Sequence, residues 1–245
     1  MKRWGKRLII GISILSVCLF VIFFIWSEIT YKPTEEMYQV MSNSELEYTN
    51  GILTFEGESK IGIILYPGGK VEPESYSYLG EQLSEKGYTV YIPSMAFNFA
   101  IFDTQKAEDI IQDANHIEEW YISGHSLGGV AAAKFASEHL DKVDGLVLLA
   151  SYPSEKDSLK EDSLPVLSIY ATNDGLTTGN DIERSKEFLP TGSQFVEVIG
   201  GNHGGFGMYG PQKGDGDADI SALNQQKQIV DLINDWIKKT TNETK

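Results

Sequence analysis

The chain has 245 residues, 41% of them hydrophobic, which suits one large domain with a real core and excludes a disordered polypeptide, and the lack of any recurring period disfavours a solenoid or propeller. Its formal net charge is −15, with 20 Lys+Arg against 35 Asp+Glu; without the four cations at residues 2, 3, 6 and 7 the balance becomes −19. Such a surface repels nucleic acid and anionic membranes, so nucleic-acid binding is disfavoured.

The first element differs from the rest. Lys2, Arg3, Lys6 and Arg7 precede an uncharged apolar run, Leu8 to Trp26. Its nineteen residues would extend roughly 28 Å as a helix, close to the hydrocarbon thickness of a bilayer, and it lacks the polar face of a core helix. A cleaved signal peptide has a shorter apolar stretch and a small-residue cleavage site, which "FIWSEITYKP" does not offer. The expectation is an uncleaved single-pass signal anchor with a cytoplasmic N-terminus and the remaining chain outside the cytoplasm. Cys18 is the only cysteine. Val17 stands where a lipidation signal wants a small residue, so a membrane-embedded thiol is the reading, and no disulfide is available to the outer domain.

Residues 27–44 read as a juxtamembrane linker with one helical turn near Glu35–Val40. Asn50-Gly51 between alternating segments predicts a β-hairpin. Ile61–Tyr66 reads as a buried central strand ending at Gly68-Gly69. A helix carrying Tyr76, Leu79 and Leu83 on one face should stop at Gly87. Strand and helix then alternate: "TVYIP", a helix turning Ala107, Ile110, Ile111 and Ala114 inward, "EEWYISG", "SLGGVAAAKFASEHL", "DGLVLLAS", "LPVLSIYAT", "IERSKEFL" and "SQFVEVIG". A final helix, Asn224–Lys239, should bury Ile229, Leu232, Ile233, Trp236 and Ile237. This order predicts an α/β fold, a mostly parallel sheet with helices on both faces and chemistry at the carboxyl ends of the strands.

Reactive residue types fall at those ends. Gly124–Gly128, "GHSLG", fits the G-x-S-x-G turn that presents a serine between a strand and a helix. The pentapeptide is only moderately specific; the flanking strand and helix patterns give it weight. Ser126 is the candidate nucleophile. Of four histidines, His116 lies in a polar loop, His139 ends a helix, and His125 should pack away from the reaction face. His203, in the glycine-flanked loop after the last strand, is the candidate base. Asp174, in an Asp-Gly turn after a strand, is the candidate partner carboxylate, with Glu155 or Asp157 as fallbacks. The order serine, acid, histidine is one of three known serine-triad orders. A tetrahedral intermediate needs amide donors, for which Leu127 and Gly69 are the candidates, with Lys70 next. Lys70, Phe97 and Phe206 are candidate substrate contacts, and Met95, Phe97, Phe99 and Phe102 near the strand ends, with Phe206, Met208 and Tyr209 after His203, are candidates to line an apolar acyl pocket, ordinary packing being the alternative for each. The short polar stretch after the strand "DGLVLLAS" leaves no room for a lid domain and implies an open site. "KGDGDAD" misses the calcium-loop pattern at Ile220 and Gln226 and reads as an acidic loop capping the last helix. No metal ligand set is expected. Asn242–Thr244 matches a glycosylation triplet of low specificity.

From about Lys60 to Lys239 the chain resembles the α/β-hydrolase superfamily. "YPGGKVEPESY", "GHSLGG", "ASYP", "TNDG" and "GGNHGGFGMYGPQKGDGDADI" are similar to predicted bacterial hydrolases related to the dienelactone-hydrolase branch. The resemblance implies a serine hydrolase without cofactor and carries onto Ser126, Asp174 and His203. Dienelactone hydrolases proper carry cysteine where this chain has Ser126, so their substrate does not transfer. The expected organisation is a basic end (1–7), a span (8–26), a linker (27–44) and a hydrolase domain (45–240) acting on a small-molecule acyl substrate. Acyl transfer or peptide cleavage by the same triad is the alternative enzyme reading. An inactive binding module on the same scaffold is the alternative outside enzymes.

Overall fold

The computed structural model describes residues 2–41 and 46–243. One eight-stranded sheet organises the chain. Its strands are β1 (Tyr48–Thr49), β2 (Ile52–Phe55), β3 (Ile61–Tyr66), β4 (Thr89–Pro93), β5 (Glu119–His125), β6 (Gly145–Leu149), β7 (Val166–Ala171) and β8 (Gln194–Val198), in the spatial order β1-β2-β4-β3-β5-β6-β7-β8. The β1–β2 hairpin turns at Asn50-Gly51, both with positive φ, and joins β4 antiparallel; all other pairs are parallel. The hairpin therefore sits at one edge. The central strands β3 to β7 are apolar nearly throughout because both of their faces are covered.

The helices are α1 (Lys2–Ser27), α2 (Glu35–Val40), α3 (Ser77–Glu85), α4 (Lys106–Asp113), α5 (Leu127–Glu138), α6 (Gly179–Ser185) and α7 (Ala222–Glu243). One sheet face packs Leu79 and Leu83 of α3 with Ile229, Ile233 and Trp236 of α7. The opposite face packs Ala107 and Ile110 of α4 with the small residues of α5 and Phe135. Alanines at 131, 132, 133 and 136 let α5 approach the sheet closely, which places its N-terminus at the end of β5. α3 stops before Gly87 at φ +104, as its sequence predicts. Tyr76 lies in a 3₁₀ turn ahead of α3 rather than inside it. α7 starts two residues before the expected Asn224 and runs to Glu243, and Thr244 of the glycosylation triplet lies outside the described residues.

α1 is a single helix whose segment Lys6–Ser27 is long and apolar enough to cross a bilayer, and most of its large side chains are exposed. The stretch that follows is fixed to the domain. Tyr31 pairs with Val71 as a parallel bridge, the Thr34 N–H donates to the Met208 carbonyl at 2.8 Å, and Met37 is buried with Tyr78 and Met208. Thr34 also caps α2 by accepting from the Met37 N–H.

Candidate active site

The turn between β5 and α5 is strained. Ser126 has φ 53 and ψ −123, a backbone conformation that costs of order 1–3 kcal/mol and persists only where the surroundings enforce it. Two glycines enforce it here. A Cβ at Gly124 would overlap the backbone of Gly128, and one at Gly128 would overlap the carbonyl oxygens of Tyr66 and Pro67. The Ser151 hydroxyl donates to the Ser126 carbonyl at 2.6 Å and steadies the turn from β6. Ser126 is half-buried, and among the described residues its hydroxyl makes no hydrogen bond.

Asp174 and His203 meet at the carboxyl ends of β7 and β8. His203 Nδ1 lies 2.8 Å from Asp174 Oδ2, and both side chains are buried. The other carboxylate oxygen, Oδ1, accepts the Leu176 and Thr177 N–H groups at 2.8 and 2.7 Å. Asp174 is thus both a turn aspartate and the histidine's partner. A carboxylate that already accepts two amides acts as acceptor toward the ring, so the proton sits on Nδ1 and the Nε2 lone pair is left free. His203 Nε2 is buried and has no hydrogen-bond partner among the described residues. The rings of His203 and His125 lie 4.6 Å apart, which sets His203 against the residue that immediately precedes Ser126.

Asp215 holds the histidine loop, a role that the sequence reading missed. Its Oδ1 accepts the N–H groups of His203 (3.1 Å), Gly175 (3.3 Å) and Gly216 (2.8 Å), and its Oδ2 accepts the Gly204 N–H at 2.8 Å. One carboxylate thereby ties the His203 loop to the turn after Asp174. Asp219 reinforces it through the Asn173 side-chain amide at 2.9 Å. The acidic stretch does not cap α7: Ser221 does, accepting the Asn224 N–H on its hydroxyl and the Gln225 N–H on its carbonyl. Asp215 instead meets backbone amides of two glycine-rich turns, and Asp219 the Asn173 side chain. Among the described residues no His/Cys/Asp/Glu group fit to hold a metal occurs.

His125 packs as expected. It is fully buried, stacks on Phe206 with centroids 5.8 Å apart, and places Nδ1 2.8 Å from the Tyr76 hydroxyl. Burial, followed by proximity to His203, pushes its pKa well below the usual 6.5, so it is neutral. The Tyr76 hydroxyl accepts the Gly68 N–H at 2.9 Å and donates to His125 Nδ1; burial raises its pKa far above 10. Tyr76 thus sets the loop after β3. In that loop the Lys70 N–H donates to the Asn98 carbonyl at 2.7 Å, whereas those of Gly69 and Leu127 have no protein acceptor among the described residues. Of the amides proposed from sequence, Gly69 and Leu127 remain free to donate and Lys70 does not.

The side chains expected to contact substrate have partners within the protein. Phe206 is fully buried beneath the histidine loop, stacked on His125, and presents no surface to a ligand. Phe97, at φ 55, packs its ring with Phe20, Phe23 and Phe24 of α1 and with Phe102. The Lys70 ammonium sits 4.1 Å over the Trp26 ring. The α1 contacts that recruit Phe97 and Lys70 are remote in sequence. Phe99 is the aromatic that borders the site: a Cβ on Gly69 would lie 2.8 Å from Leu127 Cδ1 and 3.1 Å from the Phe99 ring. Asp157 accepts the Ser154 hydroxyl locally and Glu155 is exposed, so neither fallback approaches His203 as Asp174 does. Residues 150–164 hold only the short turn Glu155–Asp157, and no lid domain is inserted there.

A family model described as "Alpha/beta hydrolase family" matches residues 62–227, from β3 into α7. The chain belongs to the alpha/beta hydrolase family. Solved alpha/beta hydrolases align over most of its length. A monoacylglycerol lipase from Paleococcus ferrophilus has a TM-score of 0.58 at 17% identity, covering 78% of this chain and 99% of that one. Est1E from Butyrivibrio proteoclasticus gives 0.58 at 14% identity, covering 76% and 94%. A dienelactone hydrolase from Anabaena variabilis gives 0.58 at 16% identity, covering 77% and 90%. At such identities the likeness shows the shared hydrolase fold alone. A search of the curated proteins finds no match.

Proposed function

We propose that this protein is a membrane-anchored serine hydrolase cleaving carboxylic esters through an acyl-enzyme. The observation that carries the reading is the buried Asp174–His203 pair, with Nε2 free, beside the strained Ser126 turn and two unengaged amides. His203 Nε2 takes the Ser126 proton as Oγ attacks the acyl carbonyl. The Gly69 and Leu127 amides stabilise the oxyanion, a donor pair of which each member is worth roughly 3–4 kcal/mol. The ester C–O bond then breaks and His203 protonates the leaving alcohol. Water reverses the sequence: it gives its proton to His203, attacks the acyl carbon and releases the acid, and the proton returns to Oγ. Asp174 orients the ring and stabilises the imidazolium. The apolar length of Lys6–Ser27, after a basic N-terminus, supports a single span with the catalytic domain outside the cytoplasm.

A fluorophosphonate probe tests the reading. The folded protein should be labelled, Ser126→Ala should not, and His203→Ala should react at least a hundredfold more slowly. An unlabelled, folded wild-type protein would leave only a binding scaffold.

A further inference from the structure

The last turns of α1 do not merely precede the domain; they dock on the rim of its candidate site. Phe97 packs edge-on against Phe20, Phe23 and Phe24, Phe102 against Phe23, and Phe99 stacks on Trp26 at 5.6 Å. The Asn98 side-chain amide donates to the Ser27 carbonyl at 3.1 Å, satisfying the helix end, while the Asn98 carbonyl accepts the Lys70 N–H. From the span to the oxyanion loop the connection is thus two hydrogen bonds, one stacked ring and the Lys70 ammonium over Trp26. The Tyr31 N–H adds a third bond, to the Lys70 carbonyl at 2.6 Å.

Depth follows from helix geometry. Phe20 lies seven residues before Ser27, or about 10 Å back along the axis. If Lys6–Ser27 spans the bilayer and Trp26 marks its outer boundary, the segment touching Phe20 and Phe23 sits level with the lipid rather than above it. The same segment leaves Ile101 (43%) and Phe102 (55%) exposed, and Leu127 beside Ser126 is exposed at 38%. These apolar groups continue from the span to the nucleophile turn through Phe99 and Gly69. Together with the span they form one continuous apolar surface, as expected of a face bathed in lipid.

We infer that the mouth of the site opens onto the bilayer and that the substrate is a long-chain acyl ester resident in the adjoining leaflet, its acyl chain passing over the Phe99–Phe102 collar to reach Ser126. The inference rests on Ser126 as nucleophile and on α1 as a span; fluorophosphonate labelling separates the nucleophile from the lipid assignment, and the dye at residue 101 tests the span and the placement together.

The full-length chain, with Cys18→Ser and Ile101→Cys carrying an NBD dye, is reconstituted in phosphatidylcholine vesicles. Doxyl groups on the lipid acyl chains should quench the dye strongly. A dye at Thr191→Cys, ahead of β8 at the opposite rim, should remain unquenched. An unquenched dye at residue 101 would overturn the placement whether or not the protein is an enzyme. In parallel, turnover of nitrophenyl palmitate in vesicles is compared with that of soluble nitrophenyl acetate. Ile101→Asp should lose at least fivefold on the vesicle ester and stay within twofold on the acetate. Equal effects on both esters would overturn the lipid assignment. Fluorophosphonate labelling without vesicle-ester turnover would overturn it too and leave the hydrolase reading intact; absence of labelling would remove both.

Discussion

Asp215→Ala is the perturbation whose outcome depends most on the observed geometry, because Asp215 touches no reacting atom. Its carboxylate accepts four N–H groups, two of them from His203 and Gly204 in the histidine loop and one from Gly175 in the aspartate turn. Hydrogen bonds to a charged acceptor contribute about 1.5–3 kcal/mol each. Asp215 is only half-buried and water can replace part of that, so we expect a loss of roughly 2–3 kcal/mol of stability, not the sum. The larger effect is positional. The two loops lose the link that sets the His203 backbone, and a misplacement of about 1 Å in a catalytic group costs on the order of a hundredfold. Fluorophosphonate labelling should slow ten- to a hundredfold in Asp215→Ala, with Asp215→Asn between it and the wild type, and urea unfolding at matched pH checks that both variants are folded. A folded Asp215→Ala labelled within twofold of the wild-type rate would refute the positioning role.

Other outcomes follow from the same contacts. Gly128→Ala puts a Cβ into the Tyr66 and Pro67 carbonyls, so it should destabilise the fold by at least about 3 kcal/mol in urea titration or abolish soluble expression. Tyr76→Phe strands the Gly68 N–H and His125 Nδ1 in the core, at a cost of about 1–3 kcal/mol for each orphaned group, and should slow labelling by loosening the Gly69 loop. His125 is held neutral when folded but accepts a proton near pH 6.5 when unfolded. Its contribution is therefore full above that pH and lost as pH falls below it, by up to about 1.4 kcal/mol per pH unit. Urea midpoints at pH 7.5 and 5.5 should converge in His125→Asn relative to the wild type.

Much of this architecture is legible in the chain, for identifiable reasons. β3 is apolar along its length because both of its faces are covered, and its observed ends match those read from sequence. The Asn50-Gly51 hairpin follows from the positive φ that both residues tolerate. Ser126, Asp174 and His203 stand out because each follows a strand of recognisable pattern. What escapes a linear reading is contact between remote segments. Asp215 carries no local mark of its partners, 12 and 40 residues away. Phe97, Lys70 and Phe206 look like binding residues by position, yet α1 and His125 claim their side chains. The polar stretch after Ser27 lacks periodicity because backbone bonds from Tyr31 and Thr34 leave no side-chain signature, and Met37, buried against Tyr78 and Met208, sits in a helix too short to show a period.

The central claim is that Ser126 becomes acylated while His203, braced by Asp174, moves the proton. Acid-quenching the full-length protein during turnover of nitrophenyl acetate, followed by peptide mass spectrometry, addresses it directly. The account predicts one acetyl group on Ser126, absent from Ser126→Ala. Ester turnover with that peptide unmodified, or with the acetyl group on another residue, would contradict it.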